Sequence, residues 1–205
     1  RHVRAVQTIL TNLHERGKLV RASYRGWYCT PDETFWTEAE LGAALSGQGP
    51  PLCPNCQRPL ESTMEEGWYL RLRASQAWLK TFVQSHPNVV QPQSRYNELV
   101  GLLEQPLPEY LCITRPRARV SWGISVPFSP DHVVYVWFDA LINYMTAVGY
   151  GTDTKNFKRW WNDATVYHVI GKDITRFHCV IWPAMLMAAD LPLPTTVFGH
   201  GFVYH

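Results

Sequence analysis

Two short cysteine-bearing turns offer the first chemistry. Cys29-Thr-Pro-Asp32 and Cys53-Pro-Asn-Cys56 are separated by 20 residues, which is close to the paired C-x2-C pattern of a zinc ribbon with a carboxylate in place of one thiolate. Zinc binds four ligands in a tetrahedron and accepts carboxylate oxygen beside thiolate sulfur, so Cys29, Asp32, Cys53 and Cys56 form a candidate Zn2+ site. Pro54 favours the tight turn that aims backbone N–H groups at the thiolates. The competing reading is a relic knuckle that holds no metal, because one of the usual thiolates is replaced. Of the five cysteines, Cys112 and Cys179 lie in apolar stretches and are expected to be buried thiols. An odd, clustered set suits metal or reduced thiols better than a disulfide frame, and so a reducing compartment.

A second set of candidates stands at two strand–helix junctions. In Tyr135–Tyr144, the residues Trp137, Ala140, Leu141 and Tyr144 fall at i, i+3, i+4 and i+7 and share one helical face. That face could wall an apolar pocket, or be a plain core stripe. At the second junction Gly171 ends a strand and lets a ligand approach the backbone, with Lys172 and Asp173 beside it. A carboxylate there can accept from ribose hydroxyls, and an ammonium can meet phosphate charge. Ile174 and His178, at i and i+4, could close the apolar pocket with a single polar group. The plain alternatives are Asp173 as a helix N-cap and His178 as a satisfied core histidine.

These groups need elements to hold them. Val3, Val6, Ile9, Leu10 and Leu13 predict a helix over 3–16 that ends at Gly17. Leu19–Cys29 reads as a strand or hairpin, and 30–60 holds too little apolar mass to fold around itself. Gly67–Phe82 reads as helical, Glu98–Leu103 as a short helix and Leu111–Thr114 as a strand. After Pro130 the texture changes: a β-branched run at Val133–Val136, a helix over Asp139–Val148, a buried strand over Val166–Ile170, a long helix over Asp173–Ala189 kinked at Pro183, and a strand over Thr195–Phe198. Alternating strands and helices predict an α/β fold with a parallel sheet, whose ligands sit at the carboxyl ends of the strands. That rule places Trp137, Gly171 and His200 near one site.

Composition sets outer bounds. The 205 residues are 46% hydrophobic and 18% charged, enough apolar mass for a sizeable core. A net charge of +2 gives no electrostatic argument for nucleic acid, so any such role rests on motifs. No run of about 18 apolar residues predicts a membrane span. Arg1–Arg4 leads into a helical pattern rather than a signal peptide.

Several segments, in order, carry a resemblance: Gly26–Phe35, Ile113-Thr-Arg115, Trp122–Pro127, Tyr135–Ala140, Gly171-Lys-Asp-Ile174 with Phe177-His178, Trp182-Pro183-Ala184, and His200-Gly201. With these the chain resembles the methionyl-tRNA synthetases, of the bacterial type that mitochondrial enzymes also resemble. The resemblance implies a Rossmann-like catalytic domain interrupted by a connective-peptide insertion with a zinc knuckle. Residues 1–20 would end its first half, 21–110 would form the insertion, and 111–205 would begin its second half. It implies activation of methionine with ATP and Mg2+, and transfer to tRNA(Met) by the complete protein, in the cytoplasm or mitochondrial matrix, with no membrane partner. Trp137, Ala140, Leu141, Tyr144, Ile174 and His178 are similar to the methionine pocket. Gly171, Asp173, His200 and Gly201 are similar to the positions that hold ATP, and Arg115 and Lys172 to basic residues that assist adenylate formation. Trp122–Pro127 would orient Arg115.

Three positions depart from the family pattern: Asp32 for a cysteine, Thr114 for a serine, and Ser125 for a proline. The family's HIGH-type motif, KMSKS-type loop and anticodon-binding domain fall outside these residues, and Gly199-His-Gly201 is no substitute. Residues 1–205 alone are therefore expected not to form methionyl-adenylate. The rivals are another class I synthetase, which usually carries a long editing insertion, and a non-catalytic zinc-ribbon binding module.

Overall fold

The computed structural model describes all residues except 33, 37, 43, 44, 46–48 and 203–205, together with the side chains of all but 24, 25, 34, 35, 39, 40 and 65 of the rest. Glu33, within the Gly26–Phe35 segment quoted above, lies outside the described residues. The chain divides into two compact units, Arg1–Val20 with Trp68–His205, and Arg21–Gly67.

The larger unit begins with α1 (His2–Glu15), whose periodic face buries Val6, Leu10 and Leu13. It ends as the sequence predicts. Gly17 has φ 64°, its N–H donates to the His14 carbonyl and that of Lys18 to Leu13, which closes the last turn in a left-handed glycine cap. The smaller unit takes up β1 (Leu19–Cys29) along most of its length. There β1 pairs antiparallel with β2 (Thr34–Trp36), followed by the single turn α2 (Glu38–Leu41), and β3 (Glu61–Leu70) leads out. The strand character of Gly67–Leu70 corrects the helical reading of that stretch. Trp68 and Tyr69 carry β propensity that outweighs the apolar spacing, and Tyr69 and Leu70 are paired with Cys112 and Leu111 of β5 (Leu111–Cys112).

Between them lie α3 (Gln76–Ser85), β4 (Val90–Gln91) and α4 (Gln93–Glu104). The second helix starts at Gln93, earlier than its apolar residues announce, because Pro92 stands at its N-cap. Leu79, Val83, Leu99 and Leu103 of this pair share a core with Ile170 and Val197. The expected insertion of 21–110 is thus wider than the smaller unit, which closes at Gly67. Residues 68–110 pack with the larger unit through that core and through a parallel pairing of β4.

An antiparallel sheet follows, ordered β6 (Thr114–Pro116), β8 (Ser129–Val134), β7 (Ser125–Val126). It delivers the chain into α5 (Val136–Ala147). The strand before Trp137 is therefore antiparallel and separate from the parallel sheet, which corrects the placement of Trp137 at a parallel strand's carboxyl end. Next come α6 (Thr154–Phe157), a π-helical turn at Lys158–Asn162, and β9 (Tyr167–Gly171). The expected long helix after β9 is instead a 3-10 turn (Lys172–Ile174), a π turn (Phe177–Ile181) and α7 (Trp182–Ala189). Pro183 occupies the first turn of α7, where its missing N–H is harmless, and the wider π turn before it takes the place of a kink.

The last strand, β10 (Thr196–His200), lies between β4 and β9, and all three are parallel. One sheet face buries His168, Ile170 and Val197, while Tyr167, Val169 and Phe198 on the other are exposed. The main core joins Leu10, Leu13, Phe138, Ile142, Trp182 and Leu186 across α1, α5 and α7.

Candidate active site and metal knuckle

The carboxyl ends of β9 and β10 are in register. His200 is the direct partner of Gly171 and Gly199 of Ile170, so the two strand-end motifs identified from sequence stand side by side. A Cβ on Gly171 would fall 2.5 Å from Asp173 Oδ1, so the carboxylate folds over the bare Gly171 backbone and a methyl group there would push it aside. Asp173 is not the N-cap expected of it. Gly171 holds that position with no side-chain bond, and Asp173 lies in the first turn, where its charge still favours the helix N-terminus. Lys172 is exposed, with its ammonium 4.5 Å from the Phe202 ring centre, and His200 Nδ1 donates to the Gly201 carbonyl at 2.6 Å. The edge offers an acceptor carboxylate and a cation beside bare backbone.

A second group gathers where α5 meets the segment after β9. Trp137 stacks on Phe177 with ring centres 4.0 Å apart and planes 20° from parallel. Two turns along, the Tyr144 hydroxyl lies 2.8 Å from His178 Nε2. His178 Nδ1 is 3.0 Å from the Ile174 carbonyl, which can only accept, so Nδ1 carries the proton and Nε2 accepts from Tyr144. Burial pushes the His178 pKa down against that carbonyl's opposing pull, and pushes Tyr144 up. Both stay neutral near pH 7. Ala140 and Ile174 are half-buried, whereas Leu141 is 1% exposed and belongs to the main core.

Arg115 is buried on β6, its Nη1 donating to the Thr114 carbonyl and its guanidinium 4.2 Å from the Tyr135 ring centre. The Trp122–Pro127 loop also engages Arg117. Arg117 Nη2 donates to Ser125 Oγ at 2.7 Å, and Trp122 is 74% exposed. Cys179 is buried as expected, with its thiol pushed up to about 12, but Cys112 is only half-buried and donates to the Thr114 carbonyl.

Sequence reasoning passed over His168. It is a buried-facing strand residue whose Nε2 accepts from Trp182 Nε1 at 3.3 Å and whose ring centre is 4.2 Å from that of Tyr144. A histidine between apolar neighbours on the inward side of a strand was the available signal. Burial, with His178 adding to it, lowers the His168 pKa from 6.5 to about 4. The folded state therefore resists a proton that the unfolded chain accepts, so stability is full above about pH 6.5 and falls as pH drops toward 4. The loss should reach on the order of 3 kcal/mol. Urea unfolding at pH 7.5 and 4.5, compared with the non-titrating His168→Gln, should show that difference, and equal pH dependence in the two would refute it.

In the smaller unit, the ligand atoms of Cys29, Asp32, Cys53 and Cys56 all lie within 4.8 Å of one another. Cys29 Sγ is 3.4 Å from Cys56 Sγ, and Cys53 Sγ is 3.2 Å from Asp32 Oδ2. A tetrahedron with zinc–sulfur bonds of about 2.3 Å has edges of roughly 3.8 Å, so the four atoms fit one ion with small adjustments. The knuckle forms as its proline suggests. Gln57 N–H donates to the Cys53 carbonyl, Cys53 N–H to that of Arg58, and Gln57 takes φ 60°. Burial pushes the Cys29 thiol up to about 12. Burial opposes ionisation of Cys53 too, but the N–H groups of Cys56 and Asn55 carry it below the usual thiol value. Hydrogen bonds from the Cys56 and Cys53 thiols lower Asp32, and the bond to Asp32 in turn raises Cys56. A divalent cation would relieve this crowding of acidic groups.

The profile of a family described as tRNA synthetases class I (M) matches residues 1–205 throughout. The chain belongs to the class I tRNA synthetases of type M. A methionine–tRNA ligase of Caldanaerobacter subterraneus subsp. tengcongensis is 47% identical over 203 residues, covering 98% of this chain and 30% of the relative. One of Thermotoga maritima is 42% identical over 202 residues, with 98% and 31% covered. The crystal structure of Mycobacterium tuberculosis methionyl-tRNA synthetase bound by methionyl-adenylate superposes with a TM-score of 0.86 at 37% identity, over 99% of this chain and 39% of that one. This class I synthetase chain thus has the α/β catalytic-domain fold of its family and spans about 30% of the length of the curated relatives it matches. Among its described residues no helix is long and apolar enough to cross a membrane.

Proposed function

We propose that the protein is a methionine–tRNA ligase, which activates methionine with ATP and passes it from the adenylate to tRNA(Met). The observation that carries this reading is the likeness, at a TM-score of 0.86, to a synthetase bound by methionyl-adenylate. The two neighbouring groups of side chains support it. Trp137, Ala140, Leu141, Tyr144, Ile174 and His178 would receive the methionine side chain, whose polarizable thioether suits aromatic walls. Gly171, Asp173, His200 and Gly201 would hold the nucleoside of ATP. Lys172 would offset charge on the phosphates, with Arg115 assisting from β6.

In this reading the methionine carboxylate attacks the α-phosphorus, pyrophosphate leaves with Mg2+, and a tRNA terminal hydroxyl then attacks the mixed anhydride. No covalent bond to the protein is needed, so the side chains act by alignment and charge stabilisation. Neutral His178 and Tyr144 spare the apolar pocket a buried charge, which would oppose a thioether. Cys29, Asp32, Cys53 and Cys56 would hold a structural Zn2+ in the smaller unit, within a connective insertion of 21–110 between catalytic segments 1–20 and 111–205. The ligase would work where translation does, in the cytoplasm or, in a eukaryote, the mitochondrial matrix.

The test is ATP–pyrophosphate exchange by the full-length protein across the twenty amino acids. Methionine alone should support exchange, and Trp137→Ala should lower kcat/KM for methionine by about 100-fold, the scale for removing a stacked aromatic wall. Exchange driven by another amino acid would replace the substrate. No exchange with any would favour a binding module built around the knuckle.

A further inference from the structure

His168 stands where an apolar residue would ordinarily do. It is 4% exposed on the inward side of β9 beside Val197, its register partner. Its neighbours there are aromatic and uncharged: Tyr144 from α5, Trp161 and His178 from the two π turns, and Trp182 from α7. Trp182 is 1% exposed, and its indole N–H can only donate, so His168 Nε2 must accept and Nδ1 must carry the proton. This bond satisfies a donor that would otherwise be buried and orphaned, and it fixes the plane of the His168 ring. That ring lies against Tyr144, with centres 4.2 Å apart and planes 52° from parallel. Tyr144 in turn reaches His178 with the one proton its hydroxyl has. Trp182 to His168, His168 against Tyr144, and Tyr144 to His178 to Ile174 make a chain of contacts with a single arrangement of protons.

We propose that His168 is a positioning residue that fixes Tyr144, and through it His178, and so sets how the pocket tells a thioether from a hydrocarbon of the same length. The substrate half of this proposal rests on the methionine reading above. Without the Trp182 bond, the ring against Tyr144 loses its anchor, and the phenol gains room to turn away from His178. A loosened polar pair receives a thioether and a plain methylene more equally, since discrimination between near-isosteres depends on fixed polar groups.

The experiment compares His168→Leu with His168→Gln in the full-length protein. The glutamine can place an acceptor near the lost Nε2, and the leucine cannot. In His168→Leu, the KM for methionine should rise about tenfold with that for ATP unmoved, and the preference for methionine over norleucine should fall by a similar factor. His168→Gln should restore both to within about threefold. A crystal structure of His168→Leu should show Tyr144 Oη drawn beyond hydrogen-bonding reach of His178. A Tyr144–His178 bond still at its native length in that crystal overturns the proposal whatever the kinetics. Should the wild type prove indifferent to methionine, the substrate reading fails, and the same crystal still decides the role of His168. If the leucine variant does not fold, His168→Asn, with its shorter side chain set back from Trp182, carries the same readouts.

Discussion

Stripping metal from the protein purified in zinc should unfold residues 21–67 while the larger unit stays folded. Among the described residues, the buried apolar cluster of the smaller unit consists of Cys29, Leu41, Cys53 and Leu60, with Trp27, Trp36, Leu45 and Cys56 half-buried around it. Half of its buried members are ligands of the candidate site. So small a core does not offset the conformational entropy of its own ordering, and the coordination energy of a structural zinc, about 10 kcal/mol or more, is of the size required. Amide exchange would read the outcome. The Trp27–Trp36 pairing of β1 with β2 should lose protection on chelation, whereas β9 and β10 keep theirs. Cys53→Ser should reproduce the loss without chelator, and Asp32→Cys should bind zinc more tightly through a fourth thiolate. Full protection of the β1–β2 pairing in metal-free protein would show that no ion is needed.

Gly171→Ala should raise the KM for ATP about 100-fold and leave that for methionine nearly unchanged. The backbone there, φ −65° and ψ 146°, suits alanine, so the fold is not strained. The methyl group instead claims the place of Asp173 Oδ1, 2.5 Å away, and turns the carboxylate aside. Two hydrogen bonds from ribose hydroxyls to a charged acceptor are worth about 1.5 kcal/mol each, and losing both gives the stated factor. Initial rates at varied ATP, with methionine saturating, measure it. An unchanged KM for ATP would mean that Asp173 does not hold the ribose, and the nucleotide would have to be sought elsewhere along the edge.

The elements best read from sequence were those whose own pattern sufficed. The apolar stripe of α1 and its glycine cap, the strands ending at Gly171 and His200, and the spacing of Cys29, Asp32, Cys53 and Cys56 all depend on residues near one another in the chain. What escaped was set by partners distant in sequence. Gly67–Leu70 ends a strand whose Tyr69 and Leu70 pair with β5, and Val133 lies in an antiparallel sheet because Arg115 and Ser125 flank it. Asp173 satisfied the composition of a helix cap, but the 3-10 turn begins two residues too early for it to serve, with Gly171 at the N-cap. The π turn at Phe177–Ile181 has no periodic signature of its own, yet it carries Phe177 to Trp137 and His178 to Tyr144. His168 offered a signal as a histidine among apolar strand residues, but its role depends on a distant partner, since only the fold shows which indole it serves.

For residues 1–205 by themselves, the exposed face of the β4–β10–β9 sheet has a colloidal consequence. Tyr167 and Val169 stand exposed on β9, an outer strand of that sheet whose five residues, Tyr-His-Val-Ile-Gly, carry no fixed charge. An uncharged outer strand with a greasy face is a template onto which another chain can add, and proteins usually blunt such strands with charges at their ends. Here the nearest are Lys172 and Asp173. Within residues 1–205 the pair that would greet the nucleotide is thus also the charge nearest that strand end, so a kinetic experiment on this stretch that neutralises it should track solubility alongside the rate.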